Sequence, residues 1–182
     1  MKRREFLMAA TTVVTGLTAP DTKVFAADDY ALERHVGELL KAKNFTVATA
    51  ESCTGGLLAS RLTDVDGASA YVKGGIISYC NEIKRDILHV NSETLEKFGA
   101  VSRQTALEMA SNVREIFSAT IGLSTTGIAG ASTEGKPVGL VYVAIVDENF
   151  SAVNEYHFNG SRTEIKAQAV AAALKILTEH LT

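Results

Sequence analysis

Apolar positions change period repeatedly along the chain, and the changes outline alternating helices and strands. Over 29–43, Leu32, Val36, Leu39 and Leu40 recur at three- and four-residue spacing, which places them on one face of a helix. Phe45-Thr46-Val47-Ala48-Thr49-Ala50 is short and rich in β-branched and small residues, and it predicts a strand. A helix over 54–62 and a strand over 71–79 follow, then a helix from Asn81 and a shorter one from Ser92 that Gly99 ends. Ser102 stands where an N-cap belongs, ahead of a helix whose Ala106, Met109, Ala110, Val113 and Phe117 form one apolar stripe. A strand over 121–126 comes next. Segments 138–146 and 152–158 read as a hairpin around Asp147-Glu148-Asn149, and a last helix covers 161–181. This order predicts an α/β fold, a three-layer α/β/α sandwich around a mixed sheet of about five strands.

Composition narrows the class. The chain has 182 residues, 46% of them hydrophobic and only 2 of them Pro, enough for one continuous core. No run is long and apolar enough to span a bilayer. The 2 cysteines, Cys53 and Cys80, are too few for a disulfide framework, and neither sits in a Cys-x-x-Cys or His-containing ligand pattern. His35, His89, His157 and His180 are scattered along the chain. No metal site and no cofactor are expected.

The first residues stand apart. Lys2-Arg3-Arg4-Glu5-Phe6-Leu7 precedes a mild apolar run over 8–17 and then Val24-Phe25-Ala26, a pattern that fits a twin-arginine export signal over 1–26, cleaved before Ala27. A periplasmic location is therefore expected, with a cytoplasmic protein bearing a simple extension as the alternative. Segment 1–26 holds four basic and two acidic side chains, so its removal changes the formal charge from −3 to −5. An acidic domain over 27–182 argues against a nucleic-acid surface, which needs clustered Lys and Arg to displace phosphate counterions.

Candidate chemistry concentrates where strands break into loops. Glu51-Ser52-Cys53-Thr54-Gly55-Gly56 joins a strand to a helix, so Ser52 stands at a strand's carboxyl end beside helix amides able to face an anion or an oxyanion. Taken alone, Ser52 or Thr54 is more simply an N-cap. Gly74-Gly75-Ile76-Ile77-Ser78-Tyr79 leads to Lys84; Gly75 and its neighbour either allow close backbone approach to a ligand or mark a bulge. Thr126-Gly127-Ile128-Ala129-Gly130, with Lys136 and Arg162 further on, offers backbone donors and cations for a phosphate. Each of these residues also has a plain structural reading, as a solvated helix cation or a strand aromatic.

Taken together and in order, these motifs resemble the CinA C-terminal domain family, whose members include nicotinamide mononucleotide amidohydrolases; the resemblance spans 30–181. It implies Ser52 as nucleophile and Lys84 with Tyr79 as the proton-handling pair. It further implies a small nucleotide substrate met by Glu51, Cys53, Thr54, Gly55, Gly75, Thr126, Gly127, Ile128, Ala129, Gly130, Lys136 and Arg162. The N–H groups over 53–55 would hold the oxyanion, and Glu51 would orient the turn or fix the ribose. A homo-oligomer is expected.

The chain departs from the family pattern in three places. Ala131-Ser132-Thr133-Glu134-Gly135 replaces a longer loop that carries a proline, Ser161 stands where an acidic residue precedes the arginine of a Gly-Asp-Arg turn, and Cys80 replaces a serine. The loop change bears on substrate identity. Two alternatives therefore stay open: a nucleotide- or phosphate-binding module without turnover, and a serine hydrolase of another small amide. The sequence lacks both Ser-x-x-Lys at Ser52 and a Gly-x-Ser-x-Gly elbow.

Overall fold

A computed structural model describes residues 31–131 and 135–182; the leader over 1–26 and the residues 132–134 lie outside the described residues. The helices are α1 (Ala31–Lys43), α2 (Leu57–Thr63), α3 (Asn81–Asp86), α4 (Ser92–Phe98), α5 (Arg103–Ile116) and α6 (Arg162–Leu181). The strands are β1 (Val47–Glu51), β2 (Val72–Ile77), β3 (Ile121–Gly127), β4 (Leu140–Val146) and β5 (Ser151–His157). They form one five-stranded sheet in the order β2-β1-β3-β4-β5. β1 pairs in parallel with both β2 and β3, and β4 is antiparallel to β3 and to β5. The expected mixed sheet with helices on both faces is present.

Alternation along the strands divides the core. Val47, Ile121, Leu123, Val141, Val143 and Ile145 face α1, α2 and α6, whose Val36, Leu40, Leu58, Leu62, Val170, Leu174 and Leu177 complete the larger half. The opposite face is built from small residues. Ala48 and Ala50 of β1 meet Met109 and Val113, and Ala144 of β4 meets Ala106 and Ala110. This lets α5 lie close: a Cβ on Gly122 would collide with the Ala110 carbonyl, and Ser124 Oγ donates to the Ala106 carbonyl at 2.6 Å.

Several boundaries differ from the sequence expectation. α2 starts at Leu57 and not at 54, because Gly55 (φ 63°) and Gly56 (φ 94°) take left-handed conformations and keep the chain in a turn. β4 starts at Leu140, since Gly139 (φ 91°) turns the chain just before it. Phe117 ends α5 as its C-cap and packs half-buried beside Ala48 and Met109. Ser161 is the N-cap of α6, forming a reciprocal capping box with Glu164.

One consequence of the register positions the site. Glu51 lies opposite Ile77 on β2 and Thr125 on β3, so the carboxyl ends of the three parallel strands open at one edge of the sheet. Ligands bind at that edge in open α/β sheets.

Candidate active site

Just beyond Glu51, the Ser52 N–H donates to the Thr125 carbonyl at 2.9 Å, which continues the β1–β3 ladder by one step and fixes the serine above the strand ends. On the other flank, the Ser78 N–H donates to the Glu51 carbonyl at 2.8 Å. The chain then enters α3, whose second turn carries Lys84 back toward β1. Lys84 is 1% exposed and Ser52 is 9% exposed. Lys84 Nζ donates to Ser52 Oγ at 3.0 Å and to the Ser78 carbonyl at 2.7 Å. Residues 32 positions apart in sequence thus form a buried serine–lysine pair.

The pair sits in a cavity of about 280 Å³, also lined by Cys53, Tyr79, Asn81, Ala100, Val101, Gly127, Ile128, Ala129, Gly130, Ala131 and Arg162. That volume lies just below the usual range of ligand sites, roughly 300–1,000 Å³, and suits one small molecule. One wall is apolar, from Ala100, Val101, Ile128 and Ala129. The other carries Tyr79, Asn81 and Arg162.

The expected site residues divide into two groups. Ser52, Cys53, Tyr79, Lys84, Gly127, Ile128, Ala129, Gly130 and Arg162 meet at the cavity. Glu51, Thr54, Gly55, Gly75, Thr126 and Lys136 do not line it. Glu51 is buried beneath the turn: its Oε2 accepts from Thr54 Oγ1 at 2.6 Å, the Gly56 N–H at 2.9 Å and the Leu58 N–H at 3.0 Å, and its Oε1 accepts from the Ala59 N–H at 2.8 Å. A carboxylate so engaged is turned away from any ribose in the cavity. Thr54 is buried between Glu51 and Thr125, whose hydroxyl lies 2.6 Å from its own. Gly55 is exposed, and Gly75 lies on the edge strand against Thr49.

Thr126 and Lys136 support a cavity wall from behind. Thr126 Oγ1 donates to the Ala100 carbonyl at 2.7 Å, and Lys136 Nζ donates to the carbonyls of Phe98 at 3.0 Å and Val101 at 2.6 Å. Nothing in the chemistry of Ala100 and Val101, in the link between α4 and α5, marks them in the sequence as wall residues. Asn81 opens α3, and its closeness in sequence to Tyr79 and the end of β2 is the signal the sequence offers for its place in the cavity.

Tyr79 lines the cavity, but its hydroxyl accepts from Arg162 Nη2 at 2.5 Å. Among the described residues no hydrogen bond joins it to Ser52 or Lys84. In the glycine-rich loop the Ile128 N–H is engaged by the Leu140 carbonyl at 2.8 Å. Among the described residues the N–H groups of Ala129 and Gly130 donate to no acceptor, so both are candidate backbone donors of that loop. Arg162 stands over Gly130, where a Cβ would fall 2.6 Å from its Nη1. Of the 53–55 amides expected to face an oxyanion, only Cys53 belongs to a residue of the cavity wall.

Cys53 itself is an inert neighbour. Burial pushes its thiol up to about 12, with the Glu51 carboxylate adding to the effect and a hydrogen bond from its own backbone N–H opposing it. A thiol held protonated is a poor nucleophile, which makes Cys53 a weaker candidate than Ser52. The two cysteines are free, Cys53 buried and Cys80 exposed. Among the described residues no group of His, Cys, Asp and Glu is arranged to hold a metal ion.

Fold and site together define a class: a three-layer α/β protein with a buried serine–lysine pair in a cavity at the carboxyl ends of its parallel strands. The family described as the CinA C-terminal domain matches residues 29–181, and the chain belongs to that family. A competence-damage inducible protein of Desulforamulus reducens is 48% identical over 159 residues, covering 87% of this chain and 39% of the relative. The chain therefore spans about two fifths of the length of such curated relatives. Among solved structures, the competence/damage inducible protein CihA from Agrobacterium tumefaciens is 42% identical, with a TM-score of 0.81, covering 87% of this chain and 98% of that one. A competence or damage-inducible protein from Enterobacter asburiae is 32% identical with a TM-score of 0.82, covering 84% and 98%.

Proposed function

We propose that the protein is an amidohydrolase that converts nicotinamide mononucleotide to nicotinate mononucleotide and ammonia. The observation that carries the reading is the approach of Lys84 Nζ to within 3.0 Å of Ser52 Oγ, with both groups withdrawn from water at the base of a small-molecule cavity. An amine withdrawn from water holds its proton less tightly than one in solution, where its pKa is roughly 10.4. In its neutral form Lys84 keeps one N–H on the Ser78 carbonyl, which can only accept, and can turn its lone pair to the Ser52 hydroxyl.

In this reading Lys84 takes the Ser52 proton as Oγ attacks the amide carbon, and the Cys53 N–H meets the developing oxyanion. Collapse of the tetrahedral species breaks the C–N bond, and the proton held by Lys84 passes to the departing nitrogen, which leaves as ammonia. Water then attacks the acyl-serine, giving its proton to Lys84. The ester bond breaks, the acid is released and Ser52 Oγ recovers its proton. Tyr79 accepts from Arg162 and keeps its own O–H to donate, but among the described residues it is not bonded to Ser52 or Lys84, so this reading gives the first transfer to Lys84. Arg162 and the Ala129 and Gly130 amides suit the phosphate, and the apolar wall of Ala100, Val101 and Ile128 suits the planar pyridine ring.

The altered sequence over 131–135 favours a second reading, a serine hydrolase of another small amide, because Ala131 belongs to the cavity wall. Ammonia release from nicotinamide mononucleotide by purified protein, without added metal, tests the first reading. Ser52→Ala is expected to lower turnover by about 10⁴-fold or more, as loss of a serine nucleophile does elsewhere. Wild-type turnover in that variant, or activity abolished by chelator, overturns the mechanism. Release from other amides alone selects the second reading, and binding without any release selects the non-catalytic module.

A further inference from the structure

We infer that Glu51 is a positioning residue for Ser52, and that its carboxylate sets the rate of attack without touching the substrate. The inference rests on the serine-hydrolase reading but not on the choice of amide. Glu51 is the last residue of β1 and immediately precedes Ser52. It is 1% exposed, and it ties the strand to the first turn of α2 through the N–H groups of Gly56, Leu58 and Ala59. These are amides that a helix leaves without internal partners, and side chains of Ser, Thr, Asp or Asn usually satisfy them from the N-cap position. Here the N-cap is Gly56, which has no side chain to offer. The cap is therefore delivered from five positions upstream, across the nucleophile.

That placement constrains the turn at both ends. The 52–56 segment is closed between the Glu51 backbone, held in the sheet by β2 and β3, and the Glu51 carboxylate, held on α2. Thr54, at the middle of the turn, donates to the carboxylate at 2.6 Å and meets the Thr125 hydroxyl at 2.6 Å. The Thr125 carbonyl in turn receives the Ser52 N–H. Ser52 is thus bracketed on both sides by groups that converge on Glu51 and Thr125. Three of the four donors to the carboxylate are backbone N–H groups that can only donate, and they are divided between its two oxygens, so both oxygens must accept. A glutamine of the same shape would turn its NH₂ toward the Ala59 N–H, or toward the three donors at Oε2, and donor would face donor. A shift of the turn by an ångström would carry Oγ away from Lys84 while leaving Tyr79, Asn81, Arg162 and the 127–130 loop where they are, since none of these is bonded to Glu51.

Glu51→Gln is therefore expected to lower kcat by about a hundredfold, the usual cost of an ångström of misplacement, with KM nearly unchanged. Thr54→Val, which removes one donor to the carboxylate and the link to Thr125, is expected to show the same split to a lesser degree. Asn91→Ala removes a remote N-cap, that of α4, and is expected to lower stability with kcat retained, which separates general weakening from positioning. Labelling of Ser52 by a serine-directed organophosphonate gives a readout independent of the amide. Wild-type protein that labels but leaves nicotinamide mononucleotide untouched refutes that substrate, and slower labelling of Glu51→Gln then still supports positioning. Equal labelling of the two proteins overturns it, as does a rise in KM with kcat unchanged, which would make Glu51 a substrate contact. If Glu51→Gln does not fold, wild-type kcat in Thr54→Val overturns the inference. Absence of labelling and turnover in the wild type overturns it together with the reading beneath it.

Discussion

Lys84 illustrates how much one buried side chain can be asked to do. The fully buried Lys84 amine donates here to one hydroxyl and one carbonyl, alongside its other contacts, in a setting where a polar group is costly unless hydrogen-bonded. Lys84→Met keeps length and bulk while removing the amine, and it leaves the buried Ser78 carbonyl without that donor, which costs about 1–3 kcal/mol. The expected result is a folded protein with a lowered thermal midpoint and with turnover reduced as severely as in Ser52→Ala; retained turnover would show that another group takes the serine proton. Cys53, beside the same pair, should behave in the opposite way, as a spectator. With its thiol held near 12, iodoacetamide at pH 8 is expected to label Cys80 alone in the folded protein, and mass mapping of the alkylated cysteine checks this. The same shift has a stability sign. The unfolded thiol ionises near 9.0 and the folded one only near 12, so the contribution of this group is complete below pH 9 and is lost as pH rises through that window.

At the level of elements, α6 shows how a helix start can be rebuilt with different residues. Ser161 accepts from the Glu164 N–H, and the Glu164 carboxylate, held below the usual carboxylate range by these bonds, accepts from the Ser161 N–H at 2.7 Å and from its hydroxyl. The cap sets the helix start at Arg162, which is how that guanidinium comes to stand over Gly130. Ser161→Ala is expected to destabilise the fold by about 1 kcal/mol in urea unfolding, the ordinary worth of such a cap. α2 is the contrasting case. It is only 7 residues long, has Gly56 at its N-cap, and takes its cap from β1, so its start could not be read from local signals. α5 is different again, because its spacing from the sheet depends on small residues of three strands and not on its own apolar stripe.

For the molecule as a whole, the formal charge of −3 gives no general attraction for an anionic substrate. Local cations must therefore hold it. Arg162 is the cationic side chain of the cavity wall besides Lys84. Arg162→Ala is expected to raise KM for nicotinamide mononucleotide about tenfold to a hundredfold, the worth of one hydrogen bond to a charged group. The corresponding nucleoside should be a poor substrate in wild type and indifferent to the substitution. A nucleoside turned over as well as the nucleotide would assign Arg162 to holding Tyr79 and nothing more.

Sequence by itself determined the elements and the family of this protein, because periodicity, turn residues and the order of its motifs are local properties that a linear reading retains. The 29–43 and 161–181 helices, the strand before Ser52 and the hairpin after Gly139 were all legible in this way. Ser52 and Lys84 were legible as candidates, the one by its place between strand and helix, the other only by family resemblance. What the tertiary structure decided was which candidates meet. Glu51, Thr54, Thr126 and Lys136 carry the chemistry of ligand-binding residues, yet their hydrogen bonds are engaged within the protein, behind or beneath the cavity. Ala100, Val101 and Asn81 carry no such mark, yet they form its walls. The reason is physical: a side chain's periodicity fixes the face it occupies, but its partners are fixed by the register of β1 against β2 and β3 and by the close seating of α5. Those pairings join residues some 30 to 70 positions apart, and no local pattern encodes them.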